Sequence, residues 1–163
     1  MMATVATSVE LSVCPSRLWT ALKDGPNFMP KAAPFFWSKW EVLEGDPNTI
    51  GSLLLLTFNP AARGDLQIKV KVADFSDEEM YITYESLLES DPLYKQMRVT
   101  ISVDPASDGS KSMATWSVFY EPVGDQGPPS KESRQLLLKR MEQYLLSHDD
   151  YLQTVPTMNE PSS

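Results

Sequence analysis

Between residues 38 and 120 apolar and polar positions alternate in short runs, and the period lengthens to a helical one in Ser16–Lys23 before that stretch and in Ser130–Leu152 after it. Thr4–Ser12 alternates loosely and predicts a strand. Pro15 stands where a helix can begin, and Leu18, Trp19, Ala21 and Leu22 follow at helical spacing within Ser16–Lys23. Asp24, Gly25 and Pro26 stop it, and Asn27–Ala33 reads as a second short helix or turn that ends before Pro34. Six strand-length segments come next: Ser38–Glu44, Ile50–Phe58, Leu66–Phe75, Met80–Leu87, Lys95–Val103 and Met113–Tyr120. Turn-rich joints separate them, among them Gly45-Asp46-Pro47-Asn48, Asn59-Pro60, Ser76-Asp77, Ser90-Asp91-Pro92 and Asp108-Gly109. Leu66, Ile68, Val70 and Val72 alternate with Gln67, Lys69 and Lys71, so that strand has one buried and one wet face. Gly124–Pro129 breaks the pattern, and Ser130–Leu152 predicts one long helix with Leu137, Met141, Tyr144, Leu145 and Leu152 along a stripe. Ser130 as N-cap and Pro128 as a first-turn residue both fit its start. The order is strand, two short helices, six strands, long helix. That is an α+β layout in which a curved antiparallel sheet wraps a C-terminal helix. One domain over residues 1–152 and a disordered tail over 153–163 are expected, since the tail carries Pro156, Pro161 and two terminal serines.

Composition narrows the chemistry. The chain has 163 residues, 42% of them apolar and 22% charged, the balance of a folded globular domain. A chain of this size buries about 68–70% of its unfolded surface and needs no staples. The formal charge is −8, which disfavours nucleic acid and anionic membranes as partners. Cys14 is the only cysteine and His148 the only histidine, so an internal disulfide, a cysteine-built zinc site and a multi-histidine centre are excluded. No metal and no cofactor is expected. Met1–Val13 lacks the basic flank and apolar core of a signal peptide, and the longest purely apolar run is Leu53–Leu56. A cytoplasmic, reduced protein is expected, and a monomer.

Several segments resemble a known family. Pro15-Ser16-Arg17-Leu18-Trp19, followed by Gly25-Pro26-Asn27-Phe28-Met29-Pro30-Lys31-Ala32-Ala33-Pro34, is similar to the two-helix V of the pathogenesis-related class-10 proteins of plants, the major birch pollen allergen type. Glu44-Gly45-Asp46, Ile50-Gly51-Ser52 and Thr57-Phe58 fall where that family has the loop between its second and third strands. Tyr120, Gly124-Asp125 and the run from Met141 to Tyr151 resemble its last strand and helix terminus. The resemblance covers about residues 4–152. It implies the helix-grip fold: a seven-stranded sheet gripping the long helix over a large apolar cavity. It further implies binding, storage or transport of small hydrophobic plant ligands such as cytokinins, flavonoids and sterols, in a stress or defence setting. An enzyme on the same scaffold, of Pictet–Spengler or isomerase type, and a ribonuclease are the alternatives that the family offers.

This chain departs from the family in two places. Asp46-Pro47-Asn48-Thr49-Ile50 fills a loop that is usually glycine-rich, and crowded amides cradle a phosphate poorly. Leu54 stands where the family often has a cavity-facing lysine, which implies a more apolar pocket without a cationic anchor. The gate and latch of the related abscisic-acid receptors are absent from the sequence.

Alternation together with the resemblance assigns the inward positions. Leu54, Leu56 and Phe58 lie on the third strand, Ile68 and Val70 on the fourth, and Ile82 and Tyr84 on the fifth. Val99 and Ile101 follow on the sixth, and Trp116 and Tyr120 on the seventh. Leu22, Met29 and Trp37 are expected to close the two-helix end, and Leu137 and Met141 to face the cavity from the long helix. A mainly apolar lining with a few hydroxyls suits a ligand that buries rings and hydrogen-bonds at its rim, with Tyr84 and Tyr120 orienting it. Met80 and Met113 read as core filler, whereas flexible thioethers elsewhere suit varied ligand shapes.

The remaining reactive types read as structural, so no catalytic residue is assigned and an enzyme is not favoured. The resemblance to the family's helix terminus implies that His148 faces solvent near the helix C-terminus, where a protonated imidazole is mildly favoured. Asp77-Glu78-Glu79 and Asp149-Asp150 read as solvated charge clusters. Cys14 reads as a small buried apolar group. Glu85, Lys69 and Lys71 are placed on the outer face, which leaves no lysine for Schiff-base chemistry.

Overall fold

The computed structural model describes residues 3–64, 66–87, 94–122 and 131–154. Strand β1 (Ala3–Leu11) is followed by helices α1 (Pro15–Lys23) and α2 (Gly25–Ala32). Strands β2 (Trp37–Glu44) and β3 (Leu53–Phe58), a one-turn helix α3 (Pro60–Arg63) and strands β4 (Gln67–Ser76) to β5 (Tyr81–Ser86) come next. Strands β6 (Tyr94–Pro105) and β7 (Ser112–Pro122) precede the long helix α4 (Lys131–Thr154). The seven strands form one sheet in the order β1-β7-β6-β5-β4-β3-β2, antiparallel throughout. Strands β2 to β7 are a meander, because each joint is short enough for a hairpin. The two short helices carry the chain from β1 at one edge to β2 at the other.

Local chemistry explains the ends of these elements. Pro15 occupies the first turn of α1, where a missing N–H costs nothing. Asp24 ends α1 and begins α2 at once, so Gly25 and Pro26 open the second helix instead of merely stopping the first. Pro30 lies inside α2, tolerated because a two-turn helix loses few bonds to it. The Asn59-Pro60 joint is more than a turn. The Asn59 side chain accepts from the Ala61 N–H at 2.9 Å and caps α3, while its amide donates to the Pro34 carbonyl at 2.7 Å. At the far end α4 runs through Thr154, so Gln153 and Thr154 are helical where a tail was expected. The predicted break at 124–129, the N-cap at Ser130 and the Asp91-Pro92 joint lie outside the described residues.

The inner face follows the alternation. Leu54, Leu56 and Phe58 of β3 and Ile68, Val70 and Val72 of β4 are buried. Pairing register shifts at Trp37/Lys39, Val42/Glu44 and Val72/Asp74, and such bulges bend a sheet. The curved face is covered by α4, which packs against β1, β7 and α2. Its buried positions are Met141, Tyr144, Leu145, His148, Asp149 and Leu152, spaced three and four apart.

One loop depends on a glycine. Gly45 has φ +81°, and a Cβ there would stand 2.1 Å from the Ser52 Oγ. Gly51 has φ +94° but open space around it. Gly45→Ala is therefore expected to cost about 2 kcal/mol or more, and Gly51→Ala closer to about 1 kcal/mol. Thermal unfolding of the two variants side by side checks the order, and equal losses would assign the cost to φ alone.

Candidate functional site

The buried apolar residues fall into two clusters, a large one around α1, α2 and β2–β5 and a smaller one around Val5, Val118, Tyr120 and Met141. A pocket of about 530 Å³ draws its walls from both. The inner faces of β2 to β7 make its floor, α3 offers Ala61 and Ala62, and α4 covers it with Leu137, Arg140, Met141 and Tyr144.

Most of the sequence-assigned positions border this space. Leu56 and Phe58, Ile68 and Val70, Tyr84, Val99 and Ile101, Trp116 and Tyr120 do so from the sheet, and Leu137 and Met141 do so from α4. Val99, Trp116 and Leu137 are only half-buried: they border the hollow, and Trp116 also packs on the Tyr144 ring at 4.4 Å. Trp37 also borders the pocket, in addition to standing at the two-helix end. Leu22, Met29, Leu54 and Ile82 are buried away from it. They pack in the solid part of the core, where Leu54 is paired with Val42 and Val70, and Ile82 with Phe75 and Ile101.

Other lining residues were not assigned from the sequence. Trp40 was hidden by the bulge between Trp37 and Lys39, which changes the phase of β2 and turns both tryptophans inward. Ser86, Met97 and Val118 lie on predicted strands, and Phe36 just before β2. Arg140 corrects the expectation of a pocket without a cation. It stands three residues after Leu137 and four before Tyr144, so the helical stripe already pointed to it.

Polar groups in the pocket divide into engaged and unengaged. The Tyr144 hydroxyl accepts from Trp37 Nε1 at 2.6 Å and lies 3.0 Å from Met29 Sδ, toward which it donates. The Ser86 hydroxyl donates to the Met97 carbonyl at 3.2 Å and accepts from the Met97 N–H at 3.0 Å. By contrast, Trp40 Nε1, Trp116 Nε1 and the Tyr84 hydroxyl are buried with no hydrogen-bond partner among the described residues. Burial pushes the phenols of Tyr84 and Tyr144 well above their ordinary range, so both stay neutral. Among the described residues no lysine borders the pocket, and Lys71 lies on the outer face 4.0 Å from Glu85, which also pairs with Arg98 at 3.0 Å.

Outside the pocket three expectations are corrected. His148 is fully buried between the rings of Phe28 and Tyr144, at 5.0 and 4.7 Å, because it falls on the buried stripe of α4. Desolvation pulls its pKa down to about 3. Asp149 is buried and accepts from the N–H groups of Ser12 and Val13 at 2.9 and 3.2 Å. Cys14 is half-buried just before α1, its Sγ 3.5 Å from Ser16 Oγ. Of the other acidic cluster, Asp77 accepts from Trp19 Nε1 at 2.7 Å and pairs with Lys23 at 3.0 Å.

The β2–β3 loop carries its own anion. Asp46 accepts from the Asn48 N–H at 2.8 Å and the Thr49 hydroxyl at 2.6 Å, and these bonds hold its carboxyl below the usual range. Donors that a phosphate would need are spent on that carboxylate, whose charge also repels a second anion. Among the described residues no group of acidic, histidine and cysteine side chains is arranged to hold a metal ion, and no helix is long and apolar enough to cross a membrane.

Comparison with known proteins agrees with this architecture. The chain superposes on the crystal structure of Ara h 8.0201 with a TM-score of 0.73 at 19% identity, covering 95% of this chain and 100% of the other. The ginseng major latex-like protein 151 from Panax ginseng gives 0.72 at 17% identity, with 95% and 99% covered. In sequence the chain is 30% identical to MLP-like protein 423 of Arabidopsis thaliana over 146 residues, 85% of this chain and 90% of that protein. It is 31% identical to the major allergen Mal d 1 of Malus domestica over 144 residues, 83% and 89% of the two chains. MLP-like protein 34 of Arabidopsis thaliana matches at 25% over 93% of this chain, which spans 49% of that relative's length. With residues 1–148 matching the family as a whole, the chain belongs to the pathogenesis-related protein Bet v 1 family.

Proposed function

We propose that this protein binds, stores or carries small hydrophobic plant ligands in the pocket between the sheet and α4, in a stress or defence setting. The observation that carries this reading is the pocket itself: about 530 Å³ walled by aromatic and aliphatic side chains, with buried polar atoms that lack partners. Such a space rewards apolar burial at about 25 cal/mol per Å² and leaves a few groups to orient the occupant. The family's description as pathogenesis-related supports the defence setting. Flavonoids, sterols and cytokinins are the classes to test first, with Tyr84 and Tyr120 as the orienting phenols.

Three of the four tryptophans, Trp37, Trp40 and Trp116, border the pocket, so an occupant is expected to quench most of the intrinsic fluorescence. Titration with representatives of the three classes should give saturable quenching that weakens in a Trp116→Phe variant. Absence of saturable quenching by all three classes at high micromolar concentration would overturn the proposal.

A further inference from the structure

We infer that the pocket selects organic anions rich in hydrogen-bond acceptors, with a carboxylate or equivalent group held by Arg140 and carbonyl or ether oxygens facing Trp40, Tyr84 and Trp116. This rests on the ligand-binding reading above and narrows it to a chemical class.

The polarity of the unengaged groups is one-sided. An indole N–H can only donate, so Trp40 Nε1 and Trp116 Nε1 ask for acceptors. The neutral Tyr84 hydroxyl has a proton to donate and no acceptor for it. The hydroxyls of Tyr144 and Ser86 are already engaged, Ser86 in both directions and Tyr144 with Trp37 and Met29. Buried donors left unmatched are costly, and an occupant that presents oxygens to them recovers that cost, whereas a plain hydrocarbon does not.

Arg140 adds charge to the same preference. It is the one basic side chain that borders the pocket among the described residues, it is exposed, and no hydrogen bond or ion pair ties it to its surroundings. A guanidinium is donor-only and always charged, and matches a carboxylate fork to fork. In a chain of net charge −8, long-range fields disfavour anions, so a cation at the wall has to supply the local attraction. Cationic amphiphiles are rejected at the same place.

Two pairs of probes separate the ingredients. Anilinonaphthalene sulfonate and phenylnaphthylamine share their rings and differ in the sulfonate. Arg140→Gln is expected to weaken the sulfonate probe about five- to tenfold while the neutral probe stays within about twofold, and Arg140→Lys should keep most of the difference. Flavone, which carries acceptors and no donor, is then compared with the hydrocarbon phenylnaphthalene by displacement of the neutral probe. Tyr84→Phe should weaken flavone about threefold or more and leave the hydrocarbon within about twofold. Unchanged melting temperatures show that the variants fold.

Equal effects of Arg140→Gln on both fluorescent probes, or none on the sulfonate, would overturn the anion preference while leaving ligand binding intact. Equal effects of Tyr84→Phe on flavone and the hydrocarbon would assign the phenol to packing and overturn the acceptor preference. Failure of the wild-type protein to bind any of the four would sink the ligand-binding reading itself.

Discussion

Replacing Asp149 by alanine is expected to lower the unfolding free energy by about 3–4 kcal/mol, because it strips an acceptor from two main-chain N–H groups at once. Asp149 sits near the end of α4, and its Oδ1 takes the N–H groups of Ser12 and Val13 just ahead of α1. The carboxylate thus lies at the positive end of α1, and its other oxygen accepts from Gln153 Nε2 at 2.9 Å. Beside it Ser112 Oγ donates to the Val13 carbonyl at 2.6 Å and ties the same joint to β7. Asp149→Asn keeps an oxygen in the same place and should recover most of the loss. Urea unfolding of the three proteins decides the matter: a loss below about 1 kcal/mol in Asp149→Ala would mean that the joint opens to solvent instead.

The second large effect is acid lability centred on His148. Its ring nitrogens are fully buried and have no partner among the described residues, so in the folded protein the imidazole stays neutral down to about pH 3. In the unfolded chain it takes a proton near its ordinary value of 6.5. Above that value neither state is protonated and His148 contributes no pH dependence. As pH falls below it the unfolded state binds a proton that the folded state refuses, so stability is lost progressively toward pH 3. The part lost between pH 6.5 and 5 is about 2 kcal/mol, in a range where ordinary carboxylates barely titrate. His148 packs on Phe28 and Tyr144, neither of them charged, and the neighbouring Asp149 carboxylate is directed to Ser12 and Val13. A His148→Leu variant should therefore show a flatter stability profile over that window. A profile parallel to the wild type would refute the buried-neutral assignment.

Particular residues show how far the sequence could be read. The stripe on α4 was legible from spacing alone, and His148 and Asp149 fall on it at seven and eight residues after Met141. The resemblance nevertheless placed His148 at the surface, and charge placed Asp149 there. Position prevailed because this turn of α4 meets Phe28 of α2 and the segment between β1 and α1, which are far away in sequence. Strand alternation placed Leu56, Phe58, Ile68, Val70 and Tyr84 on the inner face, since a period of two survives wherever a strand is regular. It failed at Trp40, where a bulge inserts a residue and reverses the phase. Arg140 was passed over because a charged residue on a predicted helix is ordinarily solvent-facing, although its spacing from Leu137 and Tyr144 placed it at the wall.

By itself, then, the sequence determined the order of the strands and of the three longer helices, though not the one-turn α3, together with the antiparallel sheet of seven strands, the covering helix and the acidic, single-cysteine character of the chain. These follow from periodicity, turn residues and counts, which act over a few neighbours at a time. The tertiary structure alone decided which residues wall the hollow, that three donors on those residues are buried without a partner among the described residues, and that a histidine and an aspartate end up inside. Those outcomes depend on how a bent sheet and a helix more than a hundred residues from β1 meet in space, and no local pattern carries that distance.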